Sequence, residues 1–266
     1  MPGAAARPSV MMTTVSTIPR AAGSLDGLRT LNVVVGLAHL VQGVVILALA
    51  NDFATPVTAS FLAGPPGEGP GVLEVLTDLR VAPFVALFLF LAAADHLLMA
   101  VPPVRGWYER EVRRGRNTAR WIEYSVSASV MVVLIAMLTG ISDVAALIGI
   151  FGANAAMILF GLLMERQDRE GDVDWLPYWL GCLAGAVPWI AIAVYLFGGD
   201  QAPGFVYAIF VSLFVLFNCF AVNMALHFRR VGPWRDAVFS ERAYVITSLV
   251  AKSALAWQVF ASTLVT

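Results

Sequence analysis

Seven stretches of this chain are each apolar over roughly the 20 helical residues needed to cross a hydrocarbon core about 30 Å thick. They fall at about 30–50, 80–101, 117–139, 142–164, 175–197, 203–227 and 240–264. With 59% hydrophobic and 13% charged residues, the chain lies far from the composition of a soluble domain. The expected fold class is an all-α integral membrane bundle of seven transmembrane helices. Residues 1–29 are rich in Ala, Ser, Thr, Pro and Gly and lack the apolar core of a signal peptide. They read as a mobile tail, so the first helix is a retained span and residues 30–266 form one membrane domain.

Fifteen of the sixteen arginines flank one side of the seven spans, and only Arg80 flanks the other. Cationic flanks stay in the cytoplasm. The expected threading in a cell membrane is therefore N-terminus cytoplasmic and C-terminus extracellular. The net charge of -1 hides this asymmetry, and the basic loops need no nucleic acid to explain them. The connection 51–79 carries two segments of β character, "VTASFL" and "VLEVLT", around the turn-rich "GPPGEGPG". It reads as an extracellular β-hairpin between the first two helices. A lone hairpin is marginal in water, so it should pack on the protein or on a second copy. Cys182 and Cys219 sit among apolar neighbours in the fifth and sixth spans and read as unpaired packing thiols.

Lys252 is the only lysine in the chain, and it lies midway along the last span. Twelve residues to either end of that span are about 18 Å of helix, beyond the reach of a four-carbon side chain. An ionisable group at that depth costs about 2.5–3.5 kcal/mol even on gentle insertion scales. Everywhere else the chain uses Arg for a cation. An amine can lose its proton and condense with an aldehyde, whereas a guanidinium does not. Lys252 is thus a candidate covalent site, the alternative being a structural ion pair.

A buried cation needs an anion. Glu123 stands about 9 Å into the third span and is the candidate, the alternative being a structural pair with Arg120. Asp95, Asp143, Glu165 and Glu241 lie nearer span ends, where a solvated carboxylate is the ordinary reading. Ser248 is one turn before Lys252 on the same face. Taken alone, His39 and His96 read as packing histidines, and no tight ligand spacing supports a metal.

The seven helices, the lysine in the last and the acid in the third together resemble a microbial rhodopsin. The segments "RWIEYSVSASVMVVLIA", "IFGANAAMILFG", "GAVPWI", "PGFVYAIFVSLF" and "ERAYVITSLVAKSALAWQ", with "AHLVQ" in the first span, resemble the heliorhodopsin family from about residue 25 to the C-terminus. The resemblance implies a rhodopsin-like bundle of inverted topology carrying all-trans retinal on Lys252 as a Schiff base, with Glu123 as counterion. It implies a polar cavity near that link from Ser248, His39, His96, Gln42 and Trp257. It implies a retinal pocket from Tyr124, Ser127, Met131, Asn154, Met157, Ile158, Trp189 and Phe217. It also implies a homodimer.

In related outward proton pumps the third helix carries a second acid about three turns past the counterion, and here that position is Leu134. The stretch "SVMVVLIAML" holds no titratable group. The expected function is a photoreceptor, light sensing without net ion pumping and without enzyme activity, and the resemblance implies a slow photocycle. A cytoplasmic signalling partner would meet the arginine-rich loop 105–116. A light-driven transporter, a regulator of a soluble enzyme, and a membrane enzyme that uses Lys252 without retinal stay open.

Overall fold

The structure is a computed structural model that describes residues 25–67, 69, 71–168, 172–199 and 202–264. Eight α-helices and one hairpin follow in the order α1 (Asp26–Leu49), β1 (Ala54–Phe61), β2 (Val72–Arg80), α2 (Val81–Ala100), α3 (Pro102–Arg113), α4 (Thr118–Leu138), α5 (Val144–Gln167), α6 (Leu176–Gly198), α7 (Gly204–Phe228) and α8 (Ala237–Val259). All but α3 are long and apolar enough to cross a membrane. A bilayer offers backbone groups no water, so each span must close its own hydrogen bonds, and a helix does so. Most of the expected tail, residues 1–24, lies outside the described residues. α1 begins at Asp26, so the last residues assigned to that tail belong to the helix.

Side chains at the loop boundaries start several helices. Asn117 accepts the Arg120 amide at 3.1 Å to open α4, Asp143 accepts from Ala145 and Ala146 to open α5, and Asp236 accepts from Val238 to open α8. Gly140, at φ 96°, makes the tight turn after α4 that a side chain would strain. α4 is the most enclosed span, with 67% of its apolar window buried against 17% for α7. The functional groups of α4 are therefore the ones that the bundle surrounds.

The hairpin pairs Ala54 with Arg80 and Phe61 with Val72, with a bulge between Val57 and Thr58. Val57, Thr58 and Ala59 are buried. The Thr58 amide donates to the Ser142 carbonyl at 2.8 Å, and the two hydroxyls meet at 3.0 Å. β1 thus packs on the protein's own α4–α5 turn, while β2 is exposed over most of its length. Both cysteines are free and exposed rather than tightly packed.

The end of the bundle that carries α3 holds a buried polar cluster. The Arg120 guanidinium forms ion pairs with Glu165 of α5 and Glu241 of α8, and it lies 3.9 Å over the Tyr244 ring. Asn117 donates its amide proton to Glu165 at 2.8 Å and its side-chain NH₂ to Glu241 at 2.7 Å. The expectation of solvated carboxylates at Glu165 and Glu241 is corrected here: they are 4% and 5% exposed. Both face inward across the bundle, where Arg120 neutralises them. The same pairs remove Arg120 as a partner for Glu123. Removing one member of a buried ion pair strands the other charge, which costs about 3–5 kcal/mol. Glu241→Ala should therefore lower the thermal unfolding midpoint markedly. Asp52→Ala, which breaks the exposed pair with Arg80, should change stability by about 1 kcal/mol or less.

Candidate functional site

Lys252 and Glu123 meet at the centre of the bundle. Nζ of Lys252 donates to both carboxylate oxygens of Glu123, at 2.9 and 3.0 Å, and reaches the Ser248 hydroxyl at 3.2 Å. The two side chains are 4% and 8% exposed. The Tyr124 ring lies 4.8 Å from Nζ and adds a cation–π contact. Helical spacing produces the arrangement. Ser248 and Lys252 are one turn apart on α8, and Glu123 and Tyr124 are adjacent on α4, so one presents a carboxylate and the other a ring to the same amine.

Lys252 and Ser248 also line a cavity of about 520 Å³, within the range of small-molecule pockets, about 300–1,000 Å³. Of the residues expected in a retinal pocket, Tyr124, Met131, Met157, Ile158, Trp189 and Phe217 line it. Trp189 meets the edges of Phe210, Phe214 and Phe217 at 5.6, 5.3 and 5.6 Å, forming an aromatic wall between α6 and α7. An apolar chamber with one amine at its edge fits a long apolar aldehyde.

Two expected pocket residues do not line the cavity. On α4 the lining stripe is Trp121, Tyr124, Ala128 and Met131. Ser127 lies one turn past Glu123 on the neighbouring face and is fully buried. Asn154 turns toward α4, donating to the Ser129 hydroxyl at 3.1 Å. Gln42 and Trp257 are also displaced from their expected place. The Trp257 indole donates to Gln42 at 2.9 Å, and Trp257 is 39% exposed, so the pair joins α1 to α8 at the outer surface rather than in a buried polar cavity.

His39 and His96 are buried, and their rings stack at 5.9 Å. Both stand within electrostatic range of Lys252. His96 Nδ1 is 2.7 Å from Asn32 Oδ1, while neither ring nitrogen of His39 has a protein partner. Among the described residues no group of three His, Cys, Asp or Glu side chains forms a metal cluster. Sequence reasoning missed what lies beyond His96. Asn32 donates to the Tyr108 hydroxyl at 3.2 Å, and Tyr108 donates to Glu241 at 3.1 Å. One signal for this chain was available: Asn32 precedes His39 by two turns on the same helix face. Asp95, half-buried on α2, stands within electrostatic range of Glu123 and Lys252, so it is not a fully solvated carboxylate.

Solved microbial rhodopsins share this architecture. A light-driven proton pump from Leptosphaeria maculans superposes with a TM-score of 0.64 at 16% identity, covering 90% of this chain and 97% of its own. Cyanorhodopsin from the cyanobacterium Tolypothrix gives 0.60 at 17%, covering 89% and 94%. Exiguobacterium sibiricum rhodopsin gives 0.59 at 17%, covering 89% and 96%. At such identities the likeness shows the fold alone. No curated protein matches the chain. The heliorhodopsin family profile, in contrast, matches residues 28–264, a range that takes in Glu123, Lys252 and the cavity between α6 and α7. The chain belongs to the heliorhodopsin family of retinal-binding rhodopsins.

Proposed function

We propose that this protein is a light sensor that carries all-trans retinal on Lys252 and moves no ion across the membrane. The observation that carries the reading is the coincidence, at one buried point, of the amine, the two Glu123 oxygens at 2.9 and 3.0 Å, and the apolar cavity. Retinal bound there by condensation of its aldehyde with Nζ, with loss of water, supplies visible absorption and a light-driven change of shape. Glu123 balances the positive charge on nitrogen. Ser248 holds that nitrogen in line with the carboxylate. His39 and His96 offer a nearby place for a displaced proton.

The absence of pumping is supported by the packing of the half of the bundle nearer the hairpin. Leu134, Ile135, Leu255 and Val259 are buried in one apolar cluster. Leu134 occupies the turn of α4 where a reprotonating acid would stand. A proton leaving Lys252 meets hydrocarbon on that side and polar groups on the other, so its movement stays inside the cavity. Arginine asymmetry supports a cytoplasmic N-terminus and an extracellular C-terminus. The exposed residues Leu73 and Val75 of β2, at 69% and 61%, support a homodimer through the hairpin.

Purification with added retinal, followed by borohydride reduction and peptide mapping, tests the site. The expected result is a coloured protein with the modification at residue 252. A colourless preparation overturns the reading. Lys252→Ala and Lys252→Arg should both give no visible pigment, although the second keeps the charge. Glu123→Gln should move the absorption to longer wavelength, because the anion that stabilises the cationic ground state is gone; an unchanged spectrum reassigns the counterion. Illuminated vesicles should show no sustained pH change. An uncoupler-sensitive change would establish a transporter instead.

A further inference from the structure

α3 lies between two spans, starting at Pro102 directly after α2 ends at Ala100. It is too short and polar to cross a bilayer, and its two faces differ sharply. The inward face buries Tyr108 and Val112, at 2% and 1% exposure, against Leu28, Met99 and Val238. The outward face carries Pro103, Trp107, Arg110 and Arg114 at helical spacing, with Arg113 beside them, and all five are exposed. Arg105 is turned away to Glu109 and Asp26, and Arg114 bonds Glu111 at 3.1 Å.

A tryptophan next to arginines on the exposed side of a helix at a span boundary matches one chemistry best. An indole ring settles at headgroup depth, and a guanidinium fork matches a phosphate. An acidic protein surface would satisfy the arginines but gives no reason for an exposed tryptophan beside them. Basic residues next to a span, here Arg110 and Arg113 with the exposed Arg114, read as a site for anionic lipid.

The inward face gives this surface a connection. Tyr108 accepts from Asn32 and donates to Glu241, and Asn32 bonds His96, which stacks on His39 within electrostatic range of Lys252. Burial holds the Tyr108 phenol well above its ordinary titration range, so its hydroxyl remains a donor. A shift of α3 therefore pulls on a continuous hydrogen-bonded chain that ends at the histidine pair.

We propose that the exposed face of α3, Trp107 with Arg110 and Arg113, docks anionic phospholipid headgroups, and that this docking is transmitted through Tyr108 to the Lys252 site. The second half rests on the retinal reading, and the first does not.

Native mass spectrometry of the full chain in detergent, purified without retinal and titrated with phosphatidylglycerol or phosphatidylcholine, tests the docking. Phosphatidylglycerol should bind more tightly. The double variant Arg110→Gln with Arg113→Gln should weaken it about thirty-fold and leave phosphatidylcholine unchanged, while the corresponding lysine pair keeps most of the affinity. Equal phosphatidylglycerol binding by wild type and the glutamine pair overturns the docking. So does its displacement by soluble glycerol phosphate, which would show a site for the free anion.

With retinal bound, phosphatidylglycerol should change the decay rate of the photoproduct relative to phosphatidylcholine vesicles. Tyr108→Phe should keep the lipid affinity, which also reports its folding, and abolish that change. A lipid-dependent rate that survives in Tyr108→Phe overturns the transmission. A protein that never becomes coloured removes the transmission along with the retinal reading and leaves the docking result standing.

Discussion

An ammonium and a carboxylate held together inside hydrocarbon place the strictest demand on this fold. Either charge alone would cost several kcal/mol at that depth, and together they are tolerable only with close geometry and further polar contacts. Lys252 meets both Glu123 oxygens within 3.0 Å and has Ser248 and the Tyr124 ring on its other sides. That requirement explains why α4 is the most enclosed span: it carries the anion, and the other helices must shield it. The apolar cavity opens directly at the amine.

From this pair the bundle divides into two unlike halves. Toward the hairpin, side chains such as Leu134, Ile135 and Leu255 close over the site with no exposure to speak of. Toward α3, a ladder of Asn32, Tyr108, Asn117, Arg120, Glu165 and Glu241 fills the interior with hydrogen bonds and ion pairs. Packed apolar side chains and satisfied polar networks both resist gradual deformation.

The seven spans were legible because a helix in lipid must be apolar along about 20 residues, and that property is local. Observed ends differ from the expected ones by a few residues, most at α1 and α8, which begin earlier than expected, α8 under an Asp236 cap. The hairpin was legible from β-branched residues around a Gly–Pro turn. Lys252 and Glu123 stood out because unpaired charge inside a span is rare. The errors share a cause. Glu165 and Glu241 lie near span ends, and depth along a helix says nothing about direction around it. Asn154 and Gln42 were placed by kinship, but the amide of one finds Ser129 and that of the other finds Trp257.

The sequence by itself determined that the chain crosses a membrane seven times, that Lys252 and Glu123 carry charge within spans, and how the arginines divide among the loops. These follow from solvation along a single strand of chain. Only the tertiary structure decided that Arg120 answers Glu165 and Glu241 instead of Glu123, that Ser127 stays outside the cavity, and that Tyr108 ties a surface helix to the histidines. Each of those depends on which faces of separate helices meet, and rotation about a helix axis is fixed by packing among neighbours rather than by any segment alone.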